Sequence, residues 1–163
     1  MKVFERGPGR PPFEPGLAAM RELLGKRVPL SEAFADGVVD RLILASGGHL
    51  RGLLELVTDV LLRARRRGLP VDEPGATAAI ARFNEKRCDA VRADAAPLLD
   101  TIRTQFSLDH VVAAELPRIA HYLDNHLVLS YRDATTGWYD VHPAVREHVA
   151  RLAREAAGGP DAG

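Results

Sequence analysis

Ser46-Gly47-Gly48-His49-Leu50-Arg51 joins a hydroxyl, two adjacent glycines and a cation at the mouth of a strongly helical pattern. Glycines let another group approach the backbone closely, and a helix N-terminus favours an anion. Arg51, in the first turns of that helix, could therefore meet a phosphate there. The plainer alternative is an interhelix turn with Arg51 on a solvated face.

Other constellations carry less. A P-loop needs a Gly-rich turn after a strand with Lys and Ser/Thr at fixed offsets, and Gly25-Lys26-Arg27 has no such frame. No apolar strand ending in Asp-Glu follows, so ATP hydrolysis by this chain alone is not expected and no catalytic residue is assigned. His121, His126, His142 and His148 fall in one stretch, but their spacing completes no set of metal ligands. His142, before Pro143, reads as a hydrogen-bonding residue at a helix entry. Trp138 and Tyr139 read as hairpin residues packing on helices, or as a face that docks a partner. Cys88 is the single cysteine; Lys86 and Arg87 beside it could lower its pKa, yet no base accompanies it. Arg63, Arg65, Arg66 and Arg67 load a helix C-terminus, where the dipole already accounts for them as a solvated face.

The elements that must position these residues are mostly helical. Leu17, Met20, Leu23 and Leu24 share a helix face that ends by Pro29, and Ser31 caps a second helix through Phe34, Val38, Val39, Leu42 and Ile43. Leu50, Leu53, Leu54, Val57, Val60, Leu61 and Ala64 recur with a period near 3.6, with Gly68 and Pro70 as the stop. Asp72-Glu73-Pro74 starts a fourth helix with Ala78, Ile80, Ala81 and Phe83, running towards Val91. Pro97 starts a fifth with Leu98, Leu99, Ile102 and Phe106, and Ser107 opens the next element with Leu108, Val111 and Val112. Leu116, Ile119, Ala120 and Leu123 mark a sixth helix, with Asn125 suited to a left-handed C-terminal position. The period then changes. Leu127 to Tyr131, a turn from Asp133 to Gly137, and Trp138 to Val141 form a hairpin, and a closing helix carries Val145, Val149 and Leu152. Helix, hairpin and terminal helix outline a winged helix-turn-helix.

Composition bounds the function. In 163 residues, 22 Lys plus Arg balance 22 Asp plus Glu, which argues against a protein built to coat phosphate backbones. One cysteine and no apolar run of membrane-spanning length point to a reducing, cytoplasmic setting with no membrane contact.

Leu42-Ile43, Ser46 to Arg51 and Leu53-Leu54-Leu56 together resemble the start of the lid subdomain of AAA-type P-loop ATPases. In that family a Gly-x-x-Arg at this helix start supplies a sensor arginine for the γ-phosphate, a pattern that Gly48-His49-Leu50-Arg51 matches. Leu123 to Tyr131 and Gly137 to Pro143 resemble the close of bacterial ATPases whose lid is followed by a winged helix. The resemblance spans most of residues 16 to 150, and the family's phosphate loop, Walker B acid and arginine finger do not occur in this chain.

It implies a mainly α fold. Residues 1–15 form a flexible segment, 16–106 a helical lid-like bundle, 107–155 a winged-helix-like module with one β-hairpin, and 156–163 a flexible tail. The function it implies is a non-catalytic lid, sensor and regulatory module, with Arg51 as sensor and Ser46, Gly47 and Gly48 placing it. The chain alone needs no cofactor, and ATP with Mg²⁺ enters only if an ATPase core is joined to it. The expected partner is that core or another protein, with DNA bound weakly at most. The rivals are a free-standing winged-helix DNA-binding regulator and a protein-interaction adaptor.

Overall fold

A computed structural model describes residues 1–133 and 135–158, with the side chain of Arg67 outside the description. The tail beyond Gly158 and Ala134, in the expected hairpin turn, lie outside the described residues. The chain is mainly α with one antiparallel two-stranded hairpin near its C-terminus. It divides into two compact units, Met1–Asn84 and Glu85–Gly163. The division falls within a helix, whereas the sequence pattern sets its change of module between residues 106 and 107.

The first unit begins with a segment that the sequence reading treats as flexible and that is in fact tied down. Val3 and Phe4 are buried, and Phe4 bridges antiparallel to Pro12. The Phe13 N–H donates to the Val3 carbonyl at 2.9 Å and the Glu5 N–H to Pro11 at 2.8 Å. Gly7 and Gly9, both at positive φ, turn the chain between these two apolar anchors. Helix α1 (Glu14–Gly25) buries Leu17, Met20 and Leu24.

The single helix expected from Ser31 to Ile43 is two: α2 (Leu30–Ala33), entered from Pro29 and not capped by Ser31, and α3 (Val38–Ala45). The break has a long-range cause. The Val71 N–H donates to the Ala33 carbonyl at 2.8 Å and the Ala35 N–H to the Val71 carbonyl at 2.9 Å, so this stretch pairs with a distant strand-like residue. Gly37, at φ +78°, then restarts the helix.

Helix α4 (Leu50–Arg67) buries Leu53, Leu56, Val57, Val60 and Ala64. Helix α5 (Glu73–Cys88) opens with the Asp72 carboxylate accepting the Gly75 N–H at 2.9 Å. It stops at Cys88, short of Val91. Its inner face is Ala76, Ala79 and Phe83; Ala78 and Ala81 point to solvent.

In the second unit α6 (Ala96–Gln105) packs on α8 (Arg146–Ala157) and on the second hairpin strand, while α7 (Leu116–Asp124) packs on the first. Strands β1 (Val128–Arg132) and β2 (Gly137–Val141) pair antiparallel, with Tyr131 opposite Trp138 and Leu129 opposite Asp140. The element that Ser107 opens is a turn, its hydroxyl accepting the Asp109 N–H at 2.9 Å. One expectation fails locally. The left-handed residue after α7 is His126, at φ +56°, and not Asn125, whose amide instead donates to the His121 carbonyl at 2.8 Å. Ile119 and Tyr122 form the buried face of α7, leaving Leu116 exposed. Among the described residues, no helix is long and apolar enough to cross a membrane.

Candidate functional site

The turn from Ser46 to Arg51 is built from the end of α3 and the start of α4. Ser46 is fully buried, and its hydroxyl donates to the Ile43 carbonyl at 2.7 Å, closing the last turn of α3. Gly47 and Gly48 follow at φ +63° and +74°, two successive left-handed residues that a side chain would strain. The Gly47 N–H donates back to Leu44 at 3.0 Å, so orphan carbonyls at the end of α3 are met inside the turn. His49 then caps α4, its Nδ1 accepting the Gly52 N–H at 3.3 Å.

This arrangement assigns the glycines a different role from the phosphate cradle that their spacing suggests. A Cβ on Gly48 would stand 2.0 Å from the Met1 carbonyl oxygen and 3.0 Å from Val3 Cγ1, so the bare backbone of Gly48 seats the N-terminal segment. The space beside it is occupied by protein. Ser46 is likewise turned inward and cannot reach a ligand. Arg51 alone of the four expected sensing residues is exposed, and it makes no hydrogen bond or ion pair among the described residues. Helix α4 has no acidic residue in its first turn, so this guanidinium sits at the positive end of a helix dipole without compensation.

The second candidate cluster is structural. Trp138 is 0% exposed, stacked at 4.4 Å between centroids on Tyr131 and met edge-on by Phe106 at 5.9 Å. It therefore belongs to the core and presents no face to a partner. Tyr139 is half-buried on the opposite side of the strand, its N–H donating to the Phe106 carbonyl at 3.1 Å. His142 is fully buried. Its Nδ1 accepts the Ala144 N–H at 3.1 Å and its own N–H donates to Leu127 at 2.8 Å, which makes it the cap of the short 3-10 turn leading into α8.

Beside it lies a feature that sequence reading missed. Asp140 is 0% exposed and accepts from Arg146 at 2.9 Å and from the Val141 N–H at 2.8 Å, while Arg146 Nε donates to the Val141 carbonyl at 3.0 Å. An acid in a strand followed six residues later by an arginine was its only sequence trace, and that spacing is too common to single out.

The remaining candidates do not converge. Burial pushes the Cys88 thiol up, with Asp89 adding to the effect and Arg151 opposing it; that is the reverse of the lowering expected from Lys86 and Arg87. His121 rests against the Asn125 amide and His148 against Arg151, and no three His, Cys, Asp or Glu side chains are grouped to hold a metal ion among the described residues. At the far end of α4, Arg63 is bound to Asp59 at 2.8 Å, and Arg82 reaches the same carboxylate from α5 at 2.5 Å. Desolvation raises the pKa of Asp59, but these two guanidiniums outweigh it and hold the carboxyl below its ordinary value. Arg65 and Arg66 remain exposed without an ion pair among the described residues.

Comparison with models of known protein families, with curated proteins and with solved structures gives no match to this chain.

Proposed function

We propose that this chain is a non-catalytic lid and regulatory module, which senses the nucleotide state of a P-loop ATPase core through Arg51 and conveys it to a partner. The observation that carries the reading is the state of Arg51. It is an exposed guanidinium at the positive end of α4, unpaired among the described residues and fixed in place by the buried turn of Ser46, Gly47 and Gly48. A cation there is unfavourable for the helix itself and becomes favourable when an anion faces it. The order α6, α7, hairpin, α8 supports a winged-helix reading of the second unit by its connectivity.

The DNA-binding alternative draws little support. Arg118, the only arginine or lysine on α7, lies 3.4 Å from Asp94 and 3.5 Å from Glu115. The nearby Val112 and Leu116 are 62% and 56% exposed, a surface suited to protein contact more than to phosphates.

The test starts from the coding sequence next to this chain, read for a segment with Gly-x-x-x-x-Gly-Lys-Ser/Thr. The ATPase core so encoded is then assayed with this chain present. Arg51→Ala is expected to lower hydrolysis roughly a hundredfold, the scale for removing one stabilising donor from a transition state, at a melting temperature no lower than the parent's. Equal rates with the parent and the variant would remove Arg51 from the mechanism.

A further inference from the structure

A groove of about 1030 Å³ lies where α4 ends, the chain turns through Leu69 and Pro70, and α5 begins. We propose that it is a docking site for an acidic amphipathic segment of a partner protein.

The helix dipole explains why arginines gather at this end of α4, but it does not explain the rest of the lining. Leu62 and Leu69 are 57% and 58% exposed, two of the six large apolar side chains left in water among the described residues, and both border this groove. Val60, Ala64 and Val71 add an apolar floor. The four arginines of the lining have different tasks. Arg63 and Arg82 are spent on Asp59, a tie from α4 to α5 that braces one wall. Arg65 and Arg66 have no such engagement among the described residues and are left to bind carboxylates, which a guanidinium grips with two parallel hydrogen bonds.

Apolar side chains next to uncompensated guanidiniums complement a helix that carries leucines on one side and glutamates beside them. The volume is at the top of the range for small-molecule clefts, roughly 300 to 1,000 Å³, which suits a peptide segment better than a metabolite. The concave shape disfavours a bilayer, which is met by protruding apolar side chains. Nucleic acid is disfavoured too, since the chain has zero net charge and little counterion release to drive binding. Arg51 lies about 21 Å away along α4, at 1.5 Å per residue, so the two sites are separable.

The probe is a fluorescein-labelled helical peptide with leucines at i, i+3, i+4 and i+7 and glutamates between, followed by fluorescence anisotropy on the full chain. Saturable binding is expected. The double change Arg65→Glu and Arg66→Glu should weaken it about tenfold or more, and Leu62→Ser several-fold; the double change also reverses a favourable contact with the helix dipole and lowers the melting temperature somewhat, so binding is read well below it, where circular dichroism shows the variant folded. Arg51→Ala should leave binding as it was, whatever its effect on an ATPase core. The proposal is overturned if a peptide with lysines in place of the glutamates binds as well, or if the double variant binds like the parent. Tighter binding to phosphatidylserine vesicles or to duplex DNA than to the peptide, lost in the same double variant, would overturn it in favour of those ligands.

Discussion

The hairpin end of the second unit and the Ser46 to Arg51 turn of the first both carry polar residues at a helix entry, and they use them in opposite ways. At the hairpin every notable side chain is withdrawn from water: Trp138, Asp140 and His142 are all 0% exposed, and the acid has an arginine for a partner. At the turn the small residues are withdrawn and the cation is left outside. A buried, partnered group is accounted for by stability. An exposed, unpartnered charge in an unfavourable position on a helix asks for a ligand. The contrast makes graded predictions, because a residue that serves the fold should cost stability when removed and one that serves a partner should not.

The largest effect is expected at Trp138. Its ring is enclosed by Phe106 and Tyr131, so Trp138→Ala should cost about 3 to 5 kcal/mol, a large share of a typical domain's stability. Its indole N–H is buried without an acceptor among the described residues. Trp138→Phe removes that unmet donor while keeping a ring, and should cost less than half as much. Urea unfolding followed by circular dichroism measures both. A Trp138→Ala variant as stable as the parent would dissolve the hairpin side of the contrast.

Arg146 comes next. Arg146→Ala takes away a guanidinium bonded to a fully buried carboxylate, and removing one partner of such a pair costs roughly 3 to 5 kcal/mol; since Arg146 keeps 16% of its side chain in water, about 3 kcal/mol is expected. Replacing both partners, as Asp140→Asn with Arg146→Met, should be milder than the single change. A double variant less stable than Arg146→Ala would mean that Asp140 does not depend on this pair.

What was legible in the sequence divides along the same line. The run from Leu50 to Ala64 and the two β-prone runs around Gly137 declare themselves, because each buries residues at the period of its own element. The break between α2 and α3 did not, since the apolar spacing from Phe34 to Ile43 continues across it and the cause, pairing with Val71, is remote in sequence. The N-terminal segment misled for a similar reason: its prolines and glycines read as loop, while Val3 and Phe4 anchor it. On α7 the periodicity allowed two faces, and packing chose Ile119 and Tyr122 over Leu116. Arg51 was visible as a candidate by its spacing. Its exposure, which decides between a ligand and a packing role, follows only from the fold.

Gly48 tests the turn from its structural side. Gly48→Ala must place a Cβ at φ +74° and within 2.0 Å of a backbone oxygen, so about 2 kcal/mol or more is expected, of which 1 to 2 is left-handed strain. Gly37→Ala, at φ +78° with nothing within 4 Å, is the control that carries the strain alone. Thermal melts of the two variants separate the terms. Equal losses would mean that the N-terminal segment yields freely and that Gly48 is needed only for its backbone angle.

The smallest expected effect is the most telling, and its sign runs the other way. Arg51 is the second residue of α4 after the cap His49, where the unpaired N–H groups of the first turn carry partial positive charge. A guanidinium in that position is repelled by the helix end, and no acidic residue in the first turn offsets it. Arg51→Glu exchanges the repulsion for attraction and should therefore stabilise the fold by about 0.3 to 1 kcal/mol at low ionic strength, with Arg51→Ala falling between the two. Raising the salt should shrink the difference, since exposed charges are screened over about 10 Å at 0.1 M. Melting temperatures of the three proteins at two salt concentrations are sufficient to read it. A gain in stability from removing Arg51 means that the folded chain bears a small cost for keeping a cation there, which fits a residue placed for an external anion. A loss of 1 kcal/mol or more would show that Arg51 already has work inside the fold, and the turn would then differ from the hairpin only in degree.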